Sequence, residues 1–236
     1  MTRLHVLRVF IAPDGHGGNP LVVVLDGGSI PEARRQAVAA ELGFSETIFV
    51  DAIDALRRRA TVRIFTPAAE LAFAGHPTVG TAWLLATTGT PVDHLTCPAG
   101  EVATWVEGGR RWVRARASWI HHFPIEQLAS VEAVDAQVPP RMGMPGRYVW
   151  AWEDERQGRV RARYFPTDLG IAEDEATGAA SVRMGHRLGR PLSIRQGVGS
   201  EILVRPEPAI WPDAVAIGGL VEAIEVREYG EPGTSA

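Results

Sequence analysis

Three short segments of this 236-residue chain set a reactive side chain beside backbone suited to close approach. Ser45-Glu46-Thr47 follows Gly43 and precedes an apolar run, which puts a carboxylate at the entrance of a strand. Gly75-His76-Pro77-Thr78 opens the most apolar stretch of the chain, where the free N–H groups of a helix start attract an anion. Asp174 precedes Thr177-Gly178-Ala179 at the start of a second helix. Two such helix starts facing one cleft would seat a carboxylate or a developing enolate. A Glu and an Asp in that cleft could move protons between carbons. Each residue also has a plainer reading. A Glu after a Ser can end a helix or pair with a surface Arg, and a His at a helix start can cap or pack. Asp174, between Glu173 and Glu175, can do no more than favour the helix dipole.

Composition removes several classes of chemistry. All 24 basic residues are arginine. Without a lysine amine there is no Schiff-base enzyme of the pyridoxal phosphate type and no P-loop nucleotide binder. One cysteine, Cys97, excludes an internal disulfide, a multi-thiolate zinc site and a racemase built on two facing thiols. A net charge of -4 with dispersed arginines gives no footprint for nucleic acid. No uninterrupted apolar run is long enough for a transmembrane helix, and the first residues pass directly into a strand pattern without a signal-peptide core. A cytoplasmic enzyme or binding domain is expected.

The elements that must position these residues are predicted as strands and few helices. Strands are expected at 3–10, 21–25, 47–50 and 60–65, with a glycine-rich loop over 15–20 and a charged turn over 51–59. A helix capped by Ser29, with Pro31 and Glu32 in its first turn, should end at Gly43. Residues 74–89 have almost no polar face and read as a helix buried on all sides. Strands at 101–106 and 110–117 follow. Then come a short helix over 125–131, strands at 147–152 and 160–165, and a helix from the Thr177 region to about 188. Strands at 192–195, 201–204, 214–217 and 222–228 precede a polar tail from 230. The parallel order predicts an α+β protein of two similar halves, residues 1–116 and 117–236, with a cleft between them.

Gly17-Gly18-Asn19-Pro20-Leu21, Leu42-Gly43-Phe44-Ser45-Glu46-Thr47, the block from Arg63 through Glu70 and Gly75-His76-Pro77-Thr78 to Ala82, and Glu173-Asp174 with Ala176-Thr177-Gly178 together resemble the PhzF-like family of phenazine-biosynthesis isomerases. The resemblance implies a diaminopimelate epimerase-like fold: two pseudo-symmetric halves, each a barrel-like, mostly antiparallel sheet around a central helix. It implies no cofactor and no metal, a homodimer, and a small carboxylated, amino acid-like substrate. In the phenazine-pathway members, the glutamate of the Ser-Glu-Thr motif moves a proton from one ring carbon of trans-2,3-dihydro-3-hydroxyanthranilate to another. The resulting enamine then tautomerises to a ketone. Carried over, that glutamate is Glu46, aided by His76 and Asp174. Asn19, Ser45, Gly75, Pro77, Thr177, Gly178 and Ala179 would bind substrate. Phenazine members carry a serine after Thr-Gly where this chain has Ala179. The chain is also shorter, in its second half.

Other features are read as structural. His121-His122 would point to opposite faces of a strand and lack a metal-ligand pattern. Trp105, Trp112, Trp119, Trp150 and Trp152 are assigned to packing. Cys97 is assigned to burial, and Arg57-Arg58-Arg59 to a solvated turn.

Overall fold

The computed structural model describes residues 2–230. Its first part runs β1 (Thr2–Ile11), β2 (Gly17–Val24), α1 (Glu32–Leu42), β3 (Thr47–Asp54), β4 (Arg59–Phe65), β5 (Glu70–Leu71), α2 (Gly75–Thr87), β6 (His94–Cys97), β7 (Gly100–Glu107) and β8 (Arg110–Arg116). The second runs β9 (Ile125–Gln127), α3 (Val131–Asp135), β10 (Arg147–Asp154), β11 (Arg159–Phe165), α4 (Gly178–Leu188), β12 (Leu192–Gln196), β13 (Ser200–Pro206) and β14 (Ala214–Tyr229).

The expected repetition is present in the pairings. β2–β3 and β9–β10 are parallel, β3–β4 and β10–β11 antiparallel, and β4–β6 and β11–β12 parallel again. Antiparallel β6–β7–β8 and β12–β13–β14 complete each set. β14 also pairs with β8 and, farther along, with β1. The first set therefore forms a circuit that returns on itself, β1-β2-β3-β4-β6-β7-β8-β14-β1, around α2. Among the described residues the second set has no counterpart of β1. Its sheet ends at β9, and residues 117–124 form a 3-10 turn and irregular chain instead. This is an α+β fold with a mostly antiparallel sheet, of which only the first half is closed.

Helix composition follows the enclosure. α2 carries no charged residue, and Val79, Ala82 and Leu85 are fully buried within the main core. α4 buries Ala180, Val182 and Met184 on one side and turns Arg183, His186 and Arg187 to the other. One contiguous apolar cluster joins both helices to both sets of strands. α1 and α3 cover outer sheet faces through the separate clusters around Phe49 and Phe165.

Several local expectations are corrected. Residues 17–20 are not a loop. Gly17, at φ 68°, pairs with Ile11 of β1, and Gly18, at φ 91°, donates its N–H to Ser200 Oγ, so β2 begins there and Asn19 is a strand residue. Ser29 does not cap α1: its hydroxyl donates to the Asp26 carbonyl, and Pro31 occupies the cap position. Gly43 ends the helix with φ 69°, as expected. The helix expected over 125–131 is strand β9, held in parallel register by Tyr148–Trp150, followed by α3. The cap of α3 is Ser130, whose hydroxyl accepts from Ala133 N. β3 runs on through half of the expected turn to Asp54. Strands 214–217 and 222–228 are a single strand. Gly218 and Gly219 carry it through because a Cβ there would strike Trp112 or Phe10. Of the polar tail, residues 231–236 lie outside the described residues.

Candidate active site

Glu46 sits between the end of α1 and the first pair of β3 with β2, so the αL turn at Gly43 and the parallel register together set its position. His76 is the second residue of α2, and Asp174 is bridged to Tyr164 just before α4. The two helices meet at their N-termini. A Cβ on Gly75 would lie 2.7 Å from Gly178 Cα, and one on Gly178 equally close to Gly75 Cα, so only glycine fits at either position. Neither helix has a side-chain cap, which leaves first-turn N–H groups available at the junction.

Glu46, His76 and Asp174 converge on one cavity of about 330 Å³, where Gly75, Gly178 and Ala179 also lie. Glu46 Oε2 stands 3.4 Å from His76 Nε2. Both atoms are buried, and neither has a hydrogen-bond partner among the described residues. Asp174 is instead fully engaged: one oxygen accepts from Asn19 Nδ2 at 2.7 Å and the other from the Thr177 hydroxyl at 2.6 Å. Gln196 locks this corner by donating to the Asp174 carbonyl and to Thr177 Oγ1.

Burial dominates the electrostatics. It pushes the Glu46 carboxyl up to about 7 and, with the Glu46 charge adding to it, Asp174 up to about 6. The His76 imidazole is driven down to about 4, again chiefly by burial. At neutral pH His76 is therefore neutral, Asp174 largely ionised, and Glu46 divided between acid and base. The close Glu46–His76 approach is thus a contact with a neutral imidazole and not an ion pair.

The remaining expected residues divide. Thr177 lines the cavity, but Asn19 and Ser45 do not. They border a separate depression behind Asp174, and Pro77 is buried in the first turn of α2. Asn19 is 2% exposed. It ties the site together: besides Asp174, its amide donates to the Ala176 carbonyl at 3.0 Å and lies 3.4 Å from His76 Nδ1, and its oxygen accepts from Ser45 Oγ. It therefore positions acidic and imidazole groups from behind.

Sequence reasoning missed the opposite wall, made by Phe73, Trp119, Phe123 and Tyr164 with His121 at its edge. The Phe73–Trp119 and Phe123–Tyr164 ring centroids are 5.6 and 5.1 Å apart. The available signal is the cluster of aromatic and imidazole residues at 119–123, of which Trp119 reads as packing and His121-His122 as lacking a metal-ligand pattern. His121 and His122 do part, toward different cavities, but from irregular chain. Trp105 and Trp112 stack at 6.3 Å, as expected of packing, and Cys97 is buried. Each arginine of 57–59 pairs with an acid, respectively Asp54, Asp93 and Glu101.

A sequence profile of the phenazine biosynthesis-like protein family, PhzC-PhzF, matches residues 9–143. The trans-2,3-dihydro-3-hydroxyanthranilate isomerase of Pseudomonas fluorescens is 32% identical over an alignment covering 79% of this chain and 80% of that protein. Among solved structures, a putative phenazine biosynthesis PhzC/PhzF protein from Clostridium difficile superposes with a TM-score of 0.75 at 20% identity, over 98% of this chain and all of that one. A probable proline racemase from Agrobacterium radiobacter K84 superposes with a TM-score of 0.67 at 11% identity, over all of this chain and 94% of that one, so the two share a fold.

Proposed function

The chain belongs to the phenazine biosynthesis-like protein family, and we propose that it is a cofactor-independent isomerase that moves a proton between two carbons of a small, singly carboxylated cyclic substrate. Glu46 is its shuttling acid/base. The observation that carries this reading is the pair of buried, unpartnered atoms Glu46 Oε2 and His76 Nε2 facing one another across the cavity. Buried polar atoms without partners are costly, and a substrate's exchangeable hydrogen and polar group would satisfy them.

The chemistry follows from the protonation states. Ionised Glu46 takes a proton from one carbon, and the electron pair left behind spreads into the substrate's conjugated system. Glu46, now the acid, returns the proton to a second carbon. A pKa near 7 lets one carboxyl do both steps at neutral pH. Among the described residues no arginine lines the cavity, so the substrate carboxylate would be held by first-turn N–H groups of α2 and α4. The ring would lie against Phe73, Trp119 and Tyr164. His76 and Asp174 would orient the amino acid-like headgroup.

The substrate of the Pseudomonas relatives, trans-2,3-dihydro-3-hydroxyanthranilate, is the first to test. Ala179 favours a second reading, an isomerase or epimerase acting on a related molecule, because it presents a methyl group to the cavity where phenazine members offer a hydroxyl. Proton NMR in D2O distinguishes them. Deuterium entering a ring carbon with the wild type, but not with Glu46→Gln, supports both reaction and base. Turnover restored only by Ala179→Ser supports the second reading. Full activity of Glu46→Gln would remove Glu46 from the mechanism.

A further inference from the structure

A second cavity, of about 620 Å³, lies behind the aromatic wall where the second sheet fails to close between β8 and β9. The outward side of α4 supplies Arg183, His186 and Arg187 to it, and the irregular chain opposite supplies His122. Among the described residues Arg183 and Arg187 bond only backbone carbonyls, of Phe123 at 2.7 Å and Ile125 at 3.4 Å. Arg183 also lies over the Phe123 ring, 4.7 Å from its centroid. Two carboxylates border the cavity, Asp213 and Glu126. Asp213 is engaged by Arg116 at 3.0 Å and the Ser118 N–H at 3.2 Å, which leaves Glu126 facing two guanidiniums and two imidazoles.

Arginines such as Arg58, Arg163 and Arg205 are matched by acids, whereas among the described residues Arg183 and Arg187 are not. Arg183 and Arg187 are four residues apart on one helix, close enough to repel. Burial, and after it the Arg187 charge, lowers the affinity of Arg183 for its proton. An anion between them would offset both costs. Two guanidinium forks a helical turn apart exceed what one carboxylate can satisfy and suit a tetrahedral, doubly charged oxyanion. Phe123, Pro124 and Ile125 give the cavity an apolar floor beside the cations.

We propose that this cleft is a binding site for a phosphate group, formed by Arg183, Arg187, His122 and His186 where the second half leaves its helix uncovered. The phosphate is either free or carried as a monoester on a small apolar body. The site shares Phe123 with the catalytic cavity but none of the residues assigned to proton transfer.

Isothermal titration at constant ionic strength, set with chloride, tests it with inorganic phosphate and phenyl phosphate. The wild type is expected to bind at least one of them at a single site. The double variant His186→Gln, Arg187→Gln, which changes two exposed residues, should bind about tenfold or more weakly. Arg34→Gln, which removes an exposed charge elsewhere, should bind as the wild type does. Tighter binding of phenyl phosphate would identify a monoester through the apolar floor, and equal or weaker binding a free phosphate. In the wild type, His122 and His186 imidazole resonances should move on titration, a readout independent of the variants. Absence of binding to both probes, or equal affinity of wild type and double variant, overturns the proposal. The latter would assign the anion to another site, such as the helix starts of the catalytic cavity.

Discussion

α2 and α4 occupy equivalent places in a repeated order of strands, yet their surroundings differ. α2 packs against β1, β2, β3, β7, β8 and β14, on all sides, and its sequence contains nothing that water must solvate. α4 packs chiefly against β13, β14 and the 3-10 turn at 117–119, and its remaining side is basic. One strand, β1, makes the difference: it closes the first circuit through β14, and nothing does so for the second. The candidate active-site cavity lies at the N-terminal ends of both helices, where Gly75 and Gly178 match. Divergence is concentrated at the other end of α4. Pseudo-symmetry is thus retained where two helix starts must face one another and relaxed where only packing is at stake.

The largest effect is expected at the proposed acid/base, which the first half supplies. Glu46→Gln should lower the rate of deuterium incorporation by about 10²–10⁴-fold, the usual contribution of a general acid/base, with the fold intact by circular dichroism. Next comes the contrast between enclosures. Leu85→Ala, in the closed half, should cost about 2–5 kcal/mol in urea denaturation. Leu188→Ala, half-buried at the open end of α4, should cost about 1 kcal/mol. Similar losses at the two positions would mean that the second half is as well covered as the first.

The helix junction gives a sharper symmetry test. Gly75→Ala and Gly178→Ala each force a Cβ against the opposing backbone, so each should destabilise the protein by about 1–3 kcal/mol, by similar amounts. Unequal costs would show that one helix yields and the other does not.

A smaller effect concerns pH, and its sign is opposite to that of an ion-paired acid. Glu46 holds its proton more tightly folded (about 7) than unfolded (4.5), so its contribution to stability declines as pH rises through that interval. Asp174 acts likewise from 3.8 to about 6, whereas His76, kept neutral in the fold, costs stability as pH falls from 6.5 to about 4. Glu46→Gln should therefore be more stable than the wild type at pH 8, by about 1–3 kcal/mol, and no more stable at pH 4. Denaturation curves at the two pH values check this. A variant that gains stability and loses turnover is the behaviour of a site that stores the cost of a buried charge for function.

Much of this was legible in the chain. The uncharged run from Gly75 announces a helix enclosed on all sides, and Arg183, His186 and Arg187 at helical spacing announce one with an open face. Gly43 and Gly75 mark a helix end and a close approach, and the motifs around Glu46, His76 and Asp174 carry the family resemblance. Local rules failed where a long-range partner overrode them. Gly17 and Asn19 look like loop until β1 pairs with them, and residues 125–127 look helical until β10 aligns them. The aromatic wall is not legible locally because Phe73, Trp119, Phe123 and Tyr164 come from separate segments and meet only in the fold.

What the sequence alone determined is therefore the inventory: which helix is dry, which carboxylates and imidazole stand beside permissive backbone, and which chemistries lack a lysine or a second thiol. Tertiary structure decided which of these groups meet. Glu46, His76 and Asp174 lie far apart in the chain; the glycine-to-glycine contact of two helix starts brings His76 and Asp174 together, and the pairing of β2 with β3 adds Glu46 to the same cavity. The raised pKa values of Glu46 and Asp174 likewise exist only once water is excluded, because burial is a property of the packed assembly and not of any segment. Whether a sheet closes depends on strands at opposite ends of the chain, Thr2–Ile11 and Ala214–Tyr229, finding each other, and no local pattern records that.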